Sequence, residues 1–161
     1  MAETHRTEKP LTDEELLAAA IAEARRGLSE GGIPIGAVLA HEGRILGGGH
    51  NRRVQLNSAI RHGETDCLEN IGRLPASVYA TSTMVTTLSP CDMCTGAILL
   101  YGIPRVVVGE STNFYGGEDL LVSRGVEVVV LDNAECIEMM EKFIAGQPAL
   151  WNEDIGEPAA D

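Results

Sequence analysis

The chain has 161 residues, 44% of them hydrophobic, and carries a net charge of −12 from 24 acidic and 12 basic residues. That length suits one compact domain, and with only 4% aromatic residues its core must be mostly aliphatic. The acidic balance repels a phosphate backbone on average, and the basic residues occur as isolated pairs (Arg25-Arg26, Arg52-Arg53) rather than as a stripe, so a nucleic-acid partner is disfavoured.

Met1 to Thr12 reads as a mobile N-terminal arm without the apolar core of a signal segment, and residues 13–157 read as a single domain. Thr12 with Glu15 is a capping-box pattern, and Leu16, Leu17, Ala20, Ile21, Ala24 and Leu28 recur at helical spacing. A helix is therefore expected to about Leu28, ending at Gly31-Gly32. Ile35 to His41 and Arg44 to His50 read as two strands around a Glu42-Gly43 turn. Asn51 to Arg61 is polar and irregular and suits a loop over a site. Glu64 to Arg73 is compatible with a short helix. Val78 to Thr87 alternates and is rich in β-branched residues, which predicts a strand.

Ser89-Pro90 breaks that strand, and Cys91 to Tyr101 follows with a helical pattern, its proline placed where a missing N–H does no harm. Strands at Arg105 to Gly109 and Val126 to Leu131 alternate with helices at Glu118 to Arg124 and Ala134 to Ala145. The segment from Gln147 onward holds the sole tryptophan, and Glu157 to Asp161 is expected to be a disordered acidic end. Alternation late in the chain implies right-handed crossovers and parallel pairing, whereas the early hairpin is antiparallel. The expected fold class is α/β, with a mixed five-stranded sheet between helices.

Four cysteines, at 67, 91, 94 and 136, do not make a disulfide framework in a chain of this size. No apolar run approaches the roughly 18 residues that span a bilayer. A soluble, cytoplasmic protein with thiols free for metal is the expectation.

Cys91 and Cys94 are three apart at a helix start, so both sulfurs share one face and the helix N-terminus favours their ionisation. Two converging thiolates suit zinc. Alone, the pair is equally half of a structural four-ligand site, a redox dithiol, or part of a three-ligand catalytic site. A structural site lacks a second Cys-x-x-Cys pair here, and a redox motif would normally follow the first strand. His62 and Glu64 supply what the catalytic reading needs: one imidazole ligand, and a carboxyl two residues on that is free to handle protons. Zinc acidifies water towards a pKa of about 7. Glu64 would take a water proton, and then protonate the ring nitrogen and the leaving amine of a heterocycle.

His-x-Glu followed by Pro-Cys-x-x-Cys is the signature of the zinc nucleobase deaminases. The resemblance extends further, to the fungal-type cytosine deaminases of the cytidine deaminase-like superfamily. It runs through Glu30 to Gly36, Gly49-His50-Asn51, His62-Gly63-Glu64 with Leu68-Glu69-Asn70, and Thr86 to Ile98. It continues at Tyr101 to Arg105, Asn113-Phe114, and Trp151 with Glu153 to Glu157. The resemblance implies a three-layer α/β/α homodimer that converts cytosine to uracil in pyrimidine salvage, with one Zn2+ per subunit on His62, Cys91 and Cys94. It implies Glu64 as proton shuttle, Asn51 and the Gly63 N–H on the ring's polar edge, and Asp154 accepting from a ring N–H. Ile33, Leu88, Phe114 and Trp151 would wall the ring. Residues 147–157 would then cover the site and leave little room for a ribose.

Plainer readings stand beside these. Cys67 and Cys136 read as buried small hydrophobes. His50 reads as a residue that caps its strand or bonds backbone, and His5 and His41 read as solvated. Outside the family pattern Asn51 would be a turn residue, Phe114 and Trp151 core or interface aromatics, and Asp154 a solvated charge. Thr65-Asp66-Cys67 and Tyr115-Gly116-Gly117 depart from the pattern and bear on substrate identity. The same zinc chemistry on guanine, isocytosine, a nucleoside or tRNA adenosine is the alternative. A non-catalytic zinc-stabilised dimerisation module, in which Glu64 is dispensable, is the alternative of another class.

Overall fold

Thr12 Oγ1 accepts from the Glu15 N–H at 3.2 Å, and the Glu15 carboxylate accepts from the Thr12 N–H at 3.4 Å. This capping box opens α1 at Asp13–Ser29 in the computed structural model, which describes residues 8–158. His5, the first seven residues of the expected arm and the last three of the acidic end lie outside the described residues. The buried residues of α1 are those picked out by their helical spacing, Leu16, Leu17, Ala20, Ile21 and Ala24, with Gly27 in place of exposed Leu28.

The hairpin β1 (Gly36–His41) and β2 (Arg44–His50) turns at Glu42 and Gly43, both with left-handed φ of 53° and 73°. One turn of helix, α2 (Arg53–Leu56), interrupts the stretch expected to be loop. Then come α3 (Gly63–Ile71), α4 (Ala76–Tyr79), β3 (Ser82–Thr86) and α5 (Asp92–Leu100). The chain continues through β4 (Arg105–Val108), α6 (Glu118–Ser123), β5 (Glu127–Val130), α7 (Ala134–Gly146) and α8 (Pro148–Asp154).

One sequence expectation needs correction. Val78 and Tyr79 belong to a helical turn, not to the following strand. The Tyr79 hydroxyl donates to Gly72 O and accepts from the Leu74 N–H, and its ring packs 4.8 Å from that of Tyr101. Long-range contacts of one aromatic thus override a local β-branched bias. The C-terminal segment is helical as well, with Pro148 at its first turn, where proline is favoured.

The strands form one mixed sheet in the order β2-β1-β3-β4-β5, antiparallel from β2 to β3 and parallel from β3 to β5. Period-two alternation divides its residues between two faces. Ala37, Leu39, Met84, Val106 and Val108 pack with Cys67 of α3, Ile98 of α5 and Leu121 of α6. Val38, Ala40, Val85 and Val107 pack with α1 and with Cys136 of α7. The result is an α/β/α arrangement. A third apolar cluster, at one end of the sheet, joins Ile33, Ile35, Leu88, Met140, Phe143 and Trp151.

The glycines of β2 set the height of α3 above the sheet. A Cβ on Gly49 would lie 2.4 Å from Cys67 N, and one on Gly47 would lie 2.6 Å from Ile71 Cγ1. Bare backbone therefore lets α3 lie directly on β2. A bulge between Leu39 and Ala40 also interrupts this hairpin. Arg105 clasps Asp13 with two 2.7 Å bonds and ties the start of α1 to β4.

Candidate active site

Two helix N-termini meet beyond the carboxyl end of β3. His62 is the residue before α3, and Cys91 is the residue before α5, with Cys94 in its first turn. His62 Nδ1 lies 3.3 Å from Cys91 Sγ. The ligand atoms of His62, Cys91 and Cys94 all fall within 4.8 Å of one another. Tetrahedral zinc with bonds of about 2.0–2.3 Å needs donors roughly 3.5 Å apart, and one imidazole with two sulfurs is its preferred donor chemistry. The three residues fit the ion.

The Cys94 thiol donates to Cys91 and, with help from the His62 ring, lowers the Cys91 pKa to about 4. Acting as donor to Cys91, and buried, Cys94 is pushed the other way. Burial alone would lower the His62 pKa, but the bond to Cys91 and the charges of Asp154, Cys91 and Glu64 raise it to about 9. Cys67 and Cys136 are inert by contrast: both are buried in the core, and burial pushes each thiol up to about 12.

Glu64 sits in the first turn of α3, fully enclosed, and accepts from Thr86 Oγ1 at 2.5 Å. Burial, followed by the Cys91 charge, raises its pKa above the usual carboxylate range. Gly63, at the first position of α3, has an N–H that no intrahelical carbonyl can take.

Asn51 is fully buried at the end of β2. Its Oδ1 accepts from the Arg53 N–H, and its Nδ2 donates to Asp154 Oδ1 at 2.8 Å. Asp154, on α8, also lies 3.4 Å from His62 Nε2, the ring nitrogen facing away from the sulfurs. A carboxylate behind a metal-binding histidine fixes its tautomer and orientation. Burial raises the Asp154 pKa against the opposing effects of His62, Asn51 and Arg53.

His62, Glu64, Cys91 and Asp154 line a small cavity with Ile35, Leu88, Ser89, Phe114, Trp151 and Ile155, and Asn51, Gly63 and Cys94 stand behind its surface. The space open to a water centre is only about 20 Å³, about one water's worth. Phe114 and Trp151 meet edge to face at 5.9 Å. Ile33 packs in the cluster behind, and Ile35 takes the lining position beside it. Outside this plug, a second hollow of about 560 Å³ is bounded by Arg53, Met93, Tyr115 and Glu153.

Several supporting residues carried no signal in the sequence. Asp66 is fully buried and accepts from Arg52 Nε and Arg61 Nη1, both at 2.8 Å, and from the His50 N–H at 3.1 Å. It pins both ends of the 51–61 loop onto α3. Ser89 Oγ donates to buried Glu118 at 2.6 Å and accepts from the Gly116 N–H at 3.0 Å, joining the Phe114 loop to the Cys91 loop. The His50 ring bonds side chains of α1, and neither caps its strand nor bonds backbone. His41 bonds Thr81.

The model of the cytidine and deoxycytidylate deaminase zinc-binding region matches residues 10–110. The chain belongs to this family. A cytosine deaminase of Candida albicans is 56% identical over 146 residues, covering 90% of this chain and 97% of the relative. A tRNA-specific adenosine deaminase of Streptococcus pyogenes is 39% identical over 103 residues, covering 63% of this chain and 65% of the relative. Among solved structures, a chain from a study of tRNA:A34 deaminases superposes with a TM-score of 0.68 at 26% identity, over 78% of this chain and 99% of that one. A guanine deaminase of Nitrosomonas europaea shares the fold, with a TM-score of 0.70 at 20% identity over 86% and 89% of the two chains. The protein is thus a zinc deaminase of the cytidine deaminase-like fold.

Proposed function

We propose that this zinc deaminase hydrolyses cytosine to uracil and ammonia. The observation that carries the chemistry is the sharing of one small cavity by the Glu64 carboxyl and the His62 and Cys91 donors. The substrate is supported by 56% identity along almost the whole length of a cytosine deaminase. When bound by His62, Cys91 and Cys94, zinc supplies a Lewis acid and brings the pKa of water towards about 7.

Glu64 accepts a proton as water oxygen bonds to C4 of the ring, and delivers it to N3. It then moves a second proton from the new C4 hydroxyl to the exocyclic nitrogen. The C4–N bond breaks, ammonia leaves, and a carbonyl remains. Burial favours this exchange, because it raises the proton affinity of the carboxyl that must take and then give the proton. Asn51 and the Gly63 N–H hold the polar edge, Asp154 accepts from a ring N–H, and Ile35, Leu88, Phe114 and Trp151 contribute the apolar walls, with Ile33 packed behind them.

Residues 13–157 act as one catalytic unit on this reading, and 147–157 are its cover. A cavity this small admits a base only when the cover moves, and a closed cover excludes water from the reaction. The same reading makes the protein a cytoplasmic homodimer of pyrimidine salvage. Exposed Met93, Leu100 and Tyr101 around α5, with Leu120 and Val122 of α6, support a second copy on that face. No described helix is long and apolar enough to cross a membrane.

Recognition of tRNA needs a cluster of free cations, whereas six of the nine described arginines (Arg25, Arg26, Arg52, Arg53, Arg61 and Arg105) stand in ion pairs and the net charge is −12. The deciding experiment incubates the zinc-loaded protein with free bases and their nucleosides and measures ammonia. Turnover of cytosine but not cytidine is expected. Turnover of cytidine alone would overturn the substrate assignment.

A further inference from the structure

His50 is a buried ionisable group that the deamination chemistry does not use. Its Nδ1 lies 2.8 Å from Glu23 Oε2 and its Nε2 lies 2.6 Å from Glu30 Oε1. The ring thus meets a carboxylate of the α1 segment at each of its two nitrogens. Both glutamates belong to the α1 segment, Glu23 within the helix and Glu30 at its C-cap.

Two independent contacts show how closely this ring is seated. A Cβ on Gly27 would lie 3.1 Å from His50 Cδ2, so the imidazole rests on α1 where that helix has no side chain. Gln55 of α2 donates to the same Glu30 oxygen at 3.3 Å. The chain on both sides of Asn51, at 50 and at 55, is therefore fastened to one carboxylate. The His50 N–H adds a bond to Asp66.

We propose that His50 is a positioning residue whose ring, held at both nitrogens, locks the end of β2 to α1, and so aims the Asn51 amide at Asp154 and at the substrate edge. This rests on the reading of Asn51 as a substrate ligand. Nothing in the ring itself reaches the cavity, so its effect passes through Asn51.

The test uses the full chain loaded with zinc and compares H50Q, E30Q, E30A, N51A and the H50Q/N51A double variant. Loss of a charge-assisted bond of this kind is expected to lower kcat/KM for cytosine about tenfold in H50Q. E30Q keeps an acceptor for the ring and stays within about twofold of the parent, while E30A behaves like H50Q. The double variant falls no further than N51A, because the two residues act as one unit. NMR shows the Asn51 side-chain amide signals displaced in H50Q and E30A but not in E30Q.

Losses in H50Q and N51A that multiply in the double variant, or Asn51 amide signals unmoved in H50Q, would overturn the proposal. Should H50Q fail to fold, E30A carries the same comparison. Absence of cytosine turnover in the parent would overturn the substrate reading instead, and displacement of the Asn51 amide signals would still decide the His50 lock.

Discussion

Glu64 joins three residue types that seldom share a cavity: an imidazole, two sulfurs and a carboxyl. E64Q keeps the shape and the bond from Thr86 but removes the proton carrier. It is expected to lower kcat at least about hundredfold, with zinc content by elemental analysis unchanged. Asp66 exerts its effect by charge. Its burial works against ionisation, but bonds from Arg61, Arg52 and the His50 N–H outweigh it and hold its carboxyl below the usual range. Its stabilising effect is therefore complete above the unfolded-state value of about 3.9 and disappears as pH falls through the lower folded value. Urea unfolding midpoints of the parent should drop on acidification below about pH 4, and D66N should show a shallower drop. At neutral pH, D66N should be less stable by about 2–3 kcal/mol, since Arg52 and Arg61 lose their acceptor. Of these two carboxylates only Glu64 was legible in the sequence, because its partners are fixed by a local spacing. The donors to Asp66 come from a strand end and a loop that only folding brings to it.

At the scale of elements, the position of α3 matters most. It carries His62, Gly63 and Glu64 and lies on a strand stripped of side chains at Gly47, Gly48 and Gly49. In G49A the new methyl would meet Cys67 N at 2.4 Å. The expected cost is about 1–3 kcal/mol in denaturant melts, with weakened zinc retention as α3 lifts. A run of three glycines reads equally as a bulge or as close packing, and here β2 shows both. Helix α8 shows the same limit. Pro148 is a usable start signal, but the segment has too few apolar repeats to declare a helix. Its amphipathy makes sense only once Trp151 and Asp154 face the cavity.

For the whole molecule, charge and exposed apolar surface point in one direction. With a net charge of −12 and no basic stripe in the sequence, kcat/KM for a neutral base should be nearly flat between low and moderate salt, and tRNA should not compete. Exposed Leu100, with Tyr101 and Met93 nearby, belongs to the face proposed to meet a second copy. Light scattering should give a dimer mass for the parent and a monomer mass for L100E. A parent of monomer mass would remove the dimer from the proposal.

By itself the sequence determined the helical period of α1, the hairpin turn, the mixed sheet and the identity of the metal donors. Each of these depends on neighbours within a few residues, or on a donor chemistry that few residue types possess. Tertiary structure alone decided that α3 and α5 present their N-termini to each other, that Asp154 returns from the far end of the chain to Asn51 and His62, and that His50 faces two carboxylates. Those contacts join residues up to 103 positions apart. A local pattern cannot encode them, because the free energy that selects them comes from burying the whole core at once.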